Sequence, residues 1–318
     1  MSTRQSASLL FVAALTVVVA AAEDKPKPAG PGTLIVVDAA GKEQKLKTWK
    51  FTEGARRLGW LAAAKAAEAR DDTGKDKKAA ARDKRQPAAG PEALAIRAEM
   101  EIEYLEGVLT LIPLEHLRSI DFDNEMDTMT AQVGEGDAAE KIAGSTKYKR
   151  INKLVIEAEV DKGDLGIAEI KYLGGVPRGV RGVRFPAPKA APPLPQGRRV
   201  LVVSADGKSK TSQHKVVDLM PLYRLPDGRE KLLPTIMFRK TLKLDVGTIK
   251  KIVAAGGDQG GWQVTRKDGE EETLTLRETM PYEGKSARLL GFVGRVPVGY
   301  KLFPAGAIAE IIFDAEEK

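Results

Sequence analysis

The chain has 318 residues, 42% hydrophobic and 30% charged, with a formal net charge of +7 and no cysteine. That length allows two ordinary domains with real cores. The missing cysteine excludes a disulfide scaffold, thiol catalysis and an acylated lipobox cysteine.

Residues 1–22 read as a secretory signal peptide. Arg4 precedes the apolar run Leu9–Val19, and Ala20, Ala21 and Ala22 satisfy a small-residue cleavage rule. The run is short for a spanning helix, so no stable membrane span is expected after cleavage, and the protein is expected to be exported to the periplasm, the cell surface or the medium. Loss of Arg4 would leave +7 − 1 = +6. Residues 23–32, with Pro26, Pro28 and Pro31, read as a linker.

A first β half is expected over 33–185. Leu34–Val37 runs into a turn at Asp38–Gly41, a hairpin signal. From about 54 to 92 an insertion is expected. Its Lys65–Arg85 stretch alternates basic and acidic residues on an alanine background, which suits a solvated helix or a disordered segment. Trp60, Leu61 and Ala64 are its only docking stripe, and Gln86–Pro91 would end any helix.

A short apolar phrase then appears and returns three times. Its first copy runs Leu111-Ile112-Pro113-Leu114 to Leu117, Ile120 and Phe122. The others are Val176-Pro177 to Val180, Val183 and Phe185; Leu244 to Ile249 and Ile252; and Leu302-Phe303-Pro304 to Ile308, Ile311 and Phe313. The apolar period changes from two to three and back to two, which predicts a strand, a single turn and a second strand. Proline suits the strand exit because it fixes φ and has no donor. The third copy has Asp245 where proline would stand and Ala254 where phenylalanine would. A competing alignment sets Gly174–Gly179 against Gly294–Gly299, and both cannot hold for the same positions.

Between these copies Lys153–Val160 and Ile167–Tyr172 read as strands joined by the turn Asp161–Asp164. Residues 186–197, rich in proline, form a stiff spacer before a second β half over 198–318. That half opens as the first does: Val200–Lys208 matches Leu34–Lys42 residue for residue in pattern. Trp262–Arg266, a turn at Lys267–Glu270 and Thr273–Leu276 predict a further hairpin.

The phrase resembles the end of SH3-like and Sm-like small barrels, where one helical turn joins the last two strands. The resemblance implies a mainly β fold of two halves, each built of paired small SH3-like β-barrel units, with the helical or disordered Ala/Lys-rich insertion in the first half. It implies no functional residue.

Chemistry is sparse. His116 lies in the turn of the first phrase and His214 in a polar strand, where exposure is expected; neither has zinc-ligand spacing. No nucleophile elbow, Walker loop or dinucleotide fingerprint occurs, and the glycines at 256–261 lack the lysine and helix of a phosphate loop. Asp121–Asp127 fails as a calcium loop, since Met126 stands at the glycine position and Gln132 at the bidentate glutamate. No catalytic residue, metal or cofactor is therefore assigned. Arg178, Arg181 and Arg184 recur every third residue, so an extended three-per-turn segment would line them along one side, facing an envelope polyanion. Valines facing the core and arginines facing water is the plainer alternative. The expectation is a non-enzymatic exported β-repeat protein binding an envelope polymer or a protein partner, with no nucleic acid; a carboxylate-dependent polysaccharide hydrolase is the alternative. Oligomeric state is left open.

Overall fold

A computed structural model describes residues 32–61, 92–97, 107–123, 125, 128–134, 140–145, 154–174, 176, 178–186, 195–205, 211–254 and 261–315. The signal segment, nearly all of the first linker, the Ala/Lys-rich body of the insertion, Met126 and most of the proline spacer lie outside the described residues. The fold is mainly β.

The first half supplies β1 (Leu34–Val37), β2 (Glu43–Leu46), β3 (Thr48–Glu53), β4 (Ala55–Arg57), β5 (Glu92–Arg97), β6 (Leu109–Pro113), β7 (Leu117–Asp123), β8 (Thr128–Val133), β9 (Glu140–Ser145), β10 (Leu154–Asp161), β11 (Ile167–Gly174) and β12 (Gly182–Arg184). The second supplies β13 (Arg199–Ala205), β14 (Thr211–Arg224), β15 (Glu230–Leu232), β16 (Thr235–Met237), β17 (Lys243–Asp245), β18 (Ile249–Ala254), β19 (Gly261–Arg266), β20 (Glu271–Thr275), β21 (Thr279–Tyr282), β22 (Lys285–Arg295), β23 (Tyr300–Phe303) and β24 (Ile308–Phe313). None of the sheets closes into a barrel among the described residues. Strand β4, Leu58 and Trp60 fall within the stretch expected as an insertion, yet Leu58 and Trp60 are buried.

The repeated phrase forms strand, 3₁₀ turn and strand in three copies. The turns are Leu114–His116, Val246–Thr248 and Ala305–Ala307, each closed by an N–H of the next strand's first residue to the turn's first carbonyl. The Asp245 side chain accepts from Gly247 N at 2.7 Å and its carbonyl from Thr248 Oγ1 at 2.7 Å. An Asx-type cap thus does there what proline does elsewhere. In the second copy the turn is looser, closed by Gly179 N to Val176 O at 2.9 Å with Arg178 at φ 61. The apolar residues of the phrase that follow the turn, from Leu117, Ile120 and Phe122 in the first copy to Ile308, Ile311 and Phe313 in the last, are all buried.

Strand pairing shows that the halves share one topology. The first half runs β2-β1-β12-β7-β8-β9 and the second β14-β13-β24-β18-β19-β20. Register agrees to the residue. Across the first sheet Val36 pairs with Val183, Val183 with Ile120 and Ile120 with Ala131; across the second Val202 pairs with Ile311, Ile311 with Ile252 and Ile252 with Val264. All eight are buried. Even the bond from Gly134 N to His116 O has its counterpart, Lys267 N to Thr248 O.

The remaining strands follow the same plan. The ladder β11-β10-β3 matches β23-β22-β14, and the hairpin β5-β6 matches β16-β17. On this register Glu157 opposite Lys171 corresponds to Val293 opposite Leu302. Ala158 therefore corresponds to Gly294, so the competing alignment of Gly174–Gly179 with Gly294–Gly299 is not the structural one. Nine positions separate Lys171 from Val180 but six separate Leu302 from Ile308, so the first half's turn is three residues longer, which explains its looser form.

Each half has its own core. One gathers Leu34, Val36, Trp49, Ile120, Ile156 and Val183; the other Val202, Tyr223, Ile252, Phe292, Phe303 and Ile311. The halves are joined because β6 of the first pairs with β23 of the second, Tyr300 opposite Leu111 and Leu302 opposite Leu109. A third core seals this joint, with Leu58, Trp60, Leu109 and Leu111 against Leu222, Val293 and Leu302. The tip of the β22–β23 hairpin carries Val298 into the first half's core, and Arg56 bonds Glu230 at 2.6 Å across the joint.

Candidate functional site

A polar chain runs between β13, β14 and β23. His214 lies opposite Val202 on β14, where the first half has Gln44 opposite Val36. Contrary to the expected exposure it is half-buried, because strand β23 reaches it and Phe303 packs its ring at 5.4 Å. Its Nε2 is 2.9 Å from Ser204 Oγ and its Nδ1 3.0 Å from Lys301 Nζ. Burial first, then the Lys301 charge, pushes the imidazole down to about 4, and burial also lowers Lys301.

Proton placement decides what this chain can do. An ammonium has no lone pair, so Lys301 donates to Nδ1 and the neutral ring carries its proton on Nε2. Nε2–H then donates to Ser204 Oγ, which donates to the Ser212 carbonyl at 3.4 Å. Nucleophile activation needs the reverse, an imidazole lone pair facing the hydroxyl. Ser204 is also fully buried. The arrangement is a cohesive network beside the joint.

Glu157, the one buried charged residue among those described, accepts from Lys171 at 2.7 Å and Lys50 at 2.9 Å. These hydrogen bonds, that of Lys171 first, hold its carboxyl below the usual range, opposite to what a general acid requires. Among the described residues no group of three or more His, Asp or Glu is arranged to hold a metal.

Of the three sequence-selected arginines, all are exposed. Arg178 sits in the left-handed turn, whereas Arg181 and Arg184 continue into the sheet: Arg181 N donates to Val37 O and its carbonyl accepts from Phe122 N. The segment is a turn followed by a strand, in place of the expected three-per-turn extended helix, so Arg181 and Arg184, three apart, leave the backbone on opposite faces. Arg184 bonds Glu43 at 2.5 Å. His116 is the last residue of its 3₁₀ turn, 3.8 Å from Glu115.

One concavity draws together residues that no sequence motif connects. A groove of about 420 Å³ lies on the outward face of β13 and β14, floored by Leu201, Val217 and Pro195 and bounded by Val296 and Pro297. Arg199, Lys215 and Arg295 line it, and no carboxylate among the described residues does. Strand register places Arg199 opposite Val217 and Leu201 opposite Lys215, so cations alternate with half-buried aliphatic side chains. Arg295 is held by Asp218 and by the Gln196 carbonyl. Only the meeting of four segments distant in sequence assembles this site; the signal in the sequence is no more than the alternation in Arg199–Leu201 and Lys215–Val217.

No family model matches the chain, and no curated protein or solved structure matches it.

Proposed function

We propose that this chain is a non-enzymatic exported β-repeat protein whose groove on β13 and β14 binds an anionic polymer of the cell envelope. One observation carries the reading: an apolar floor rimmed by Arg199, Lys215 and Arg295, with no acidic residue lining it among those described. A polyanion laid along the strands would meet the cations through its charges and the aliphatic floor through its carbon skeleton. The tandem SH3-like character, like export itself, belongs to this proposal.

Titration with dextran sulfate and with uncharged dextran tests it. Saturable binding of the sulfated polymer alone is expected, weakening with salt and at least ten-fold with Lys215→Glu, a substitution at an exposed position. Equal binding of both polymers, or no loss with Lys215→Glu, would overturn it; specific retention of a protein instead would transfer the site to a protein partner.

A further inference from the structure

The internal joint has a plug and a socket, and each half carries the counterpart of both. The plug in use is the β23 edge with its hairpin tip. Val298 is 4% exposed in the first half's core, and Gly299 lies so close to Leu111 that a Cβ there would come within 2.1 Å of the Leu111 carbonyl. The socket in use is β6 with the turn after it, residues Leu111–His116.

The counterparts lie open among the described residues. Strand β11, equivalent to β23, has β10 as its one strand partner, and β17, equivalent to β6, has only β16. Counting back from Lys171 and Leu302 makes Ile167 the equivalent of Val298. Ile167 is 73% exposed and its neighbour Leu165 84%, the two most exposed large apolar side chains described. At the other end a hollow of about 510 Å³ is lined by Lys243, Leu244, Asp245, Gly247, Thr248, Arg266, Lys267 and Asp268. Leu117 and Ile249 open equivalent strands, so Lys243–Thr248 correspond to Leu111–His116. The hollow stands where the first half is filled by the Val298 tip.

We propose that the chain associates head to tail, the β11 edge and tip of one copy entering the β17 hollow of the next, in a repeat of its own internal joint. The register of that joint, Tyr300 opposite Leu111 and Lys301 opposite Thr110, transfers to Glu169 opposite Lys243 and Ile170 opposite Leu242. Charge complements charge there, and Ile167 takes the apolar role of Val298. The tip also brings Asp161 and Asp164 toward the end of the hollow that carries Lys243. Within the hollow Arg266 already pairs with Glu270 and Glu272, and Lys267 with Asp314, which leaves Lys243 as the main contact for Glu169. Such an interface is heterologous, so copies would add into rings or open filaments. Because Glu157 and Lys171 replace the apolar pair Val293 and Leu302, the external joint is more polar than the internal one and sensitive to salt.

Sedimentation equilibrium of the full chain at low salt tests this. A mass that rises above the monomer with concentration and falls as salt is added is expected, with association at least ten-fold weaker for Ile167→Asp and for Lys243→Glu. Because the chain has no cysteine, a chain carrying both Glu169→Cys and Lys243→Cys should oxidise into an intermolecular ladder on a non-reducing gel. A monomer at every concentration, association that both charged variants leave unchanged, or a doubly substituted chain that forms no ladder would overturn the proposal, including the case in which the β11 edge serves a foreign strand.

Discussion

The two halves share a strand plan and a buried ladder, yet they differ where their sheets meet something else. In the second half Val293 and Leu302 stand opposite each other and face Leu109 and Leu111 across the joint. At the same place the first half has Glu157 and Lys171 bonded to each other, with Glu157 bonded to Lys50 as well. Interior rows are held to apolar residues by close packing, whereas edge residues are free to differ because each edge has a different neighbour. The comparison separates what makes the module from what makes the assembly.

The equivalence of the rows can be broken most strongly at its centre. Ile120→Ala and Ile252→Ala occupy the same place in the two ladders, and each should cost about 3 kcal/mol through lost burial and a residual cavity. Chemical denaturation checks this; a cost below about 1 kcal/mol for either variant would show that the two positions are not equivalent core sites.

A second test restores the first half's residue to the second. The His214 ring titrates near 4 in the folded protein, against about 6.5 when unfolded, so the unfolded chain binds more protons between those values. Stability therefore falls as pH drops from 6.5 to 4, by at most about 3 kcal/mol at the acid end. His214→Gln, which installs the counterpart of Gln44, should flatten that window in denaturation midpoints measured at several pH values. An unchanged slope would mean that other groups produce it.

The joint offers the third test. Gly299 has φ 88 and no room for a Cβ beside Leu111, whereas Gly41 has φ 84 and nothing within 4 Å. Gly299→Ala should cost about 2 kcal/mol or more and Gly41→Ala about 1 kcal/mol, since only the first adds a clash to the left-handed strain. Equal costs would mean that the halves give way at the joint. The smallest effect belongs to Arg184→Ala, whose exposed ion pair with Glu43 should contribute less than about 0.5 kcal/mol.

Much of the fold was legible because its signals are local. Strand, turn and strand followed from a change of apolar period, and the match of Leu34–Lys42 with Val200–Lys208 is the register that pairing shows: Leu34 opposite Leu46 corresponds to Val200 opposite Val216. The site was not legible. His214 stands among polar residues in sequence, so exposure was the natural reading, yet strand β23 brings Lys301 and Phe303 to its ring. A period of three in the sequence suggests a collinear row of arginines on one extended segment, and the left-handed turn at Arg178 breaks that line.

Residue order alone determined that this chain builds β modules twice over, because the alternation of buried and exposed side chains along a strand is written in consecutive residues. Tertiary structure alone decided how the modules join, which edge is covered and where cations gather over an apolar floor. Those outcomes depend on which strands become neighbours across long sequence separations, and cross-strand contacts leave no periodic trace in either strand by itself.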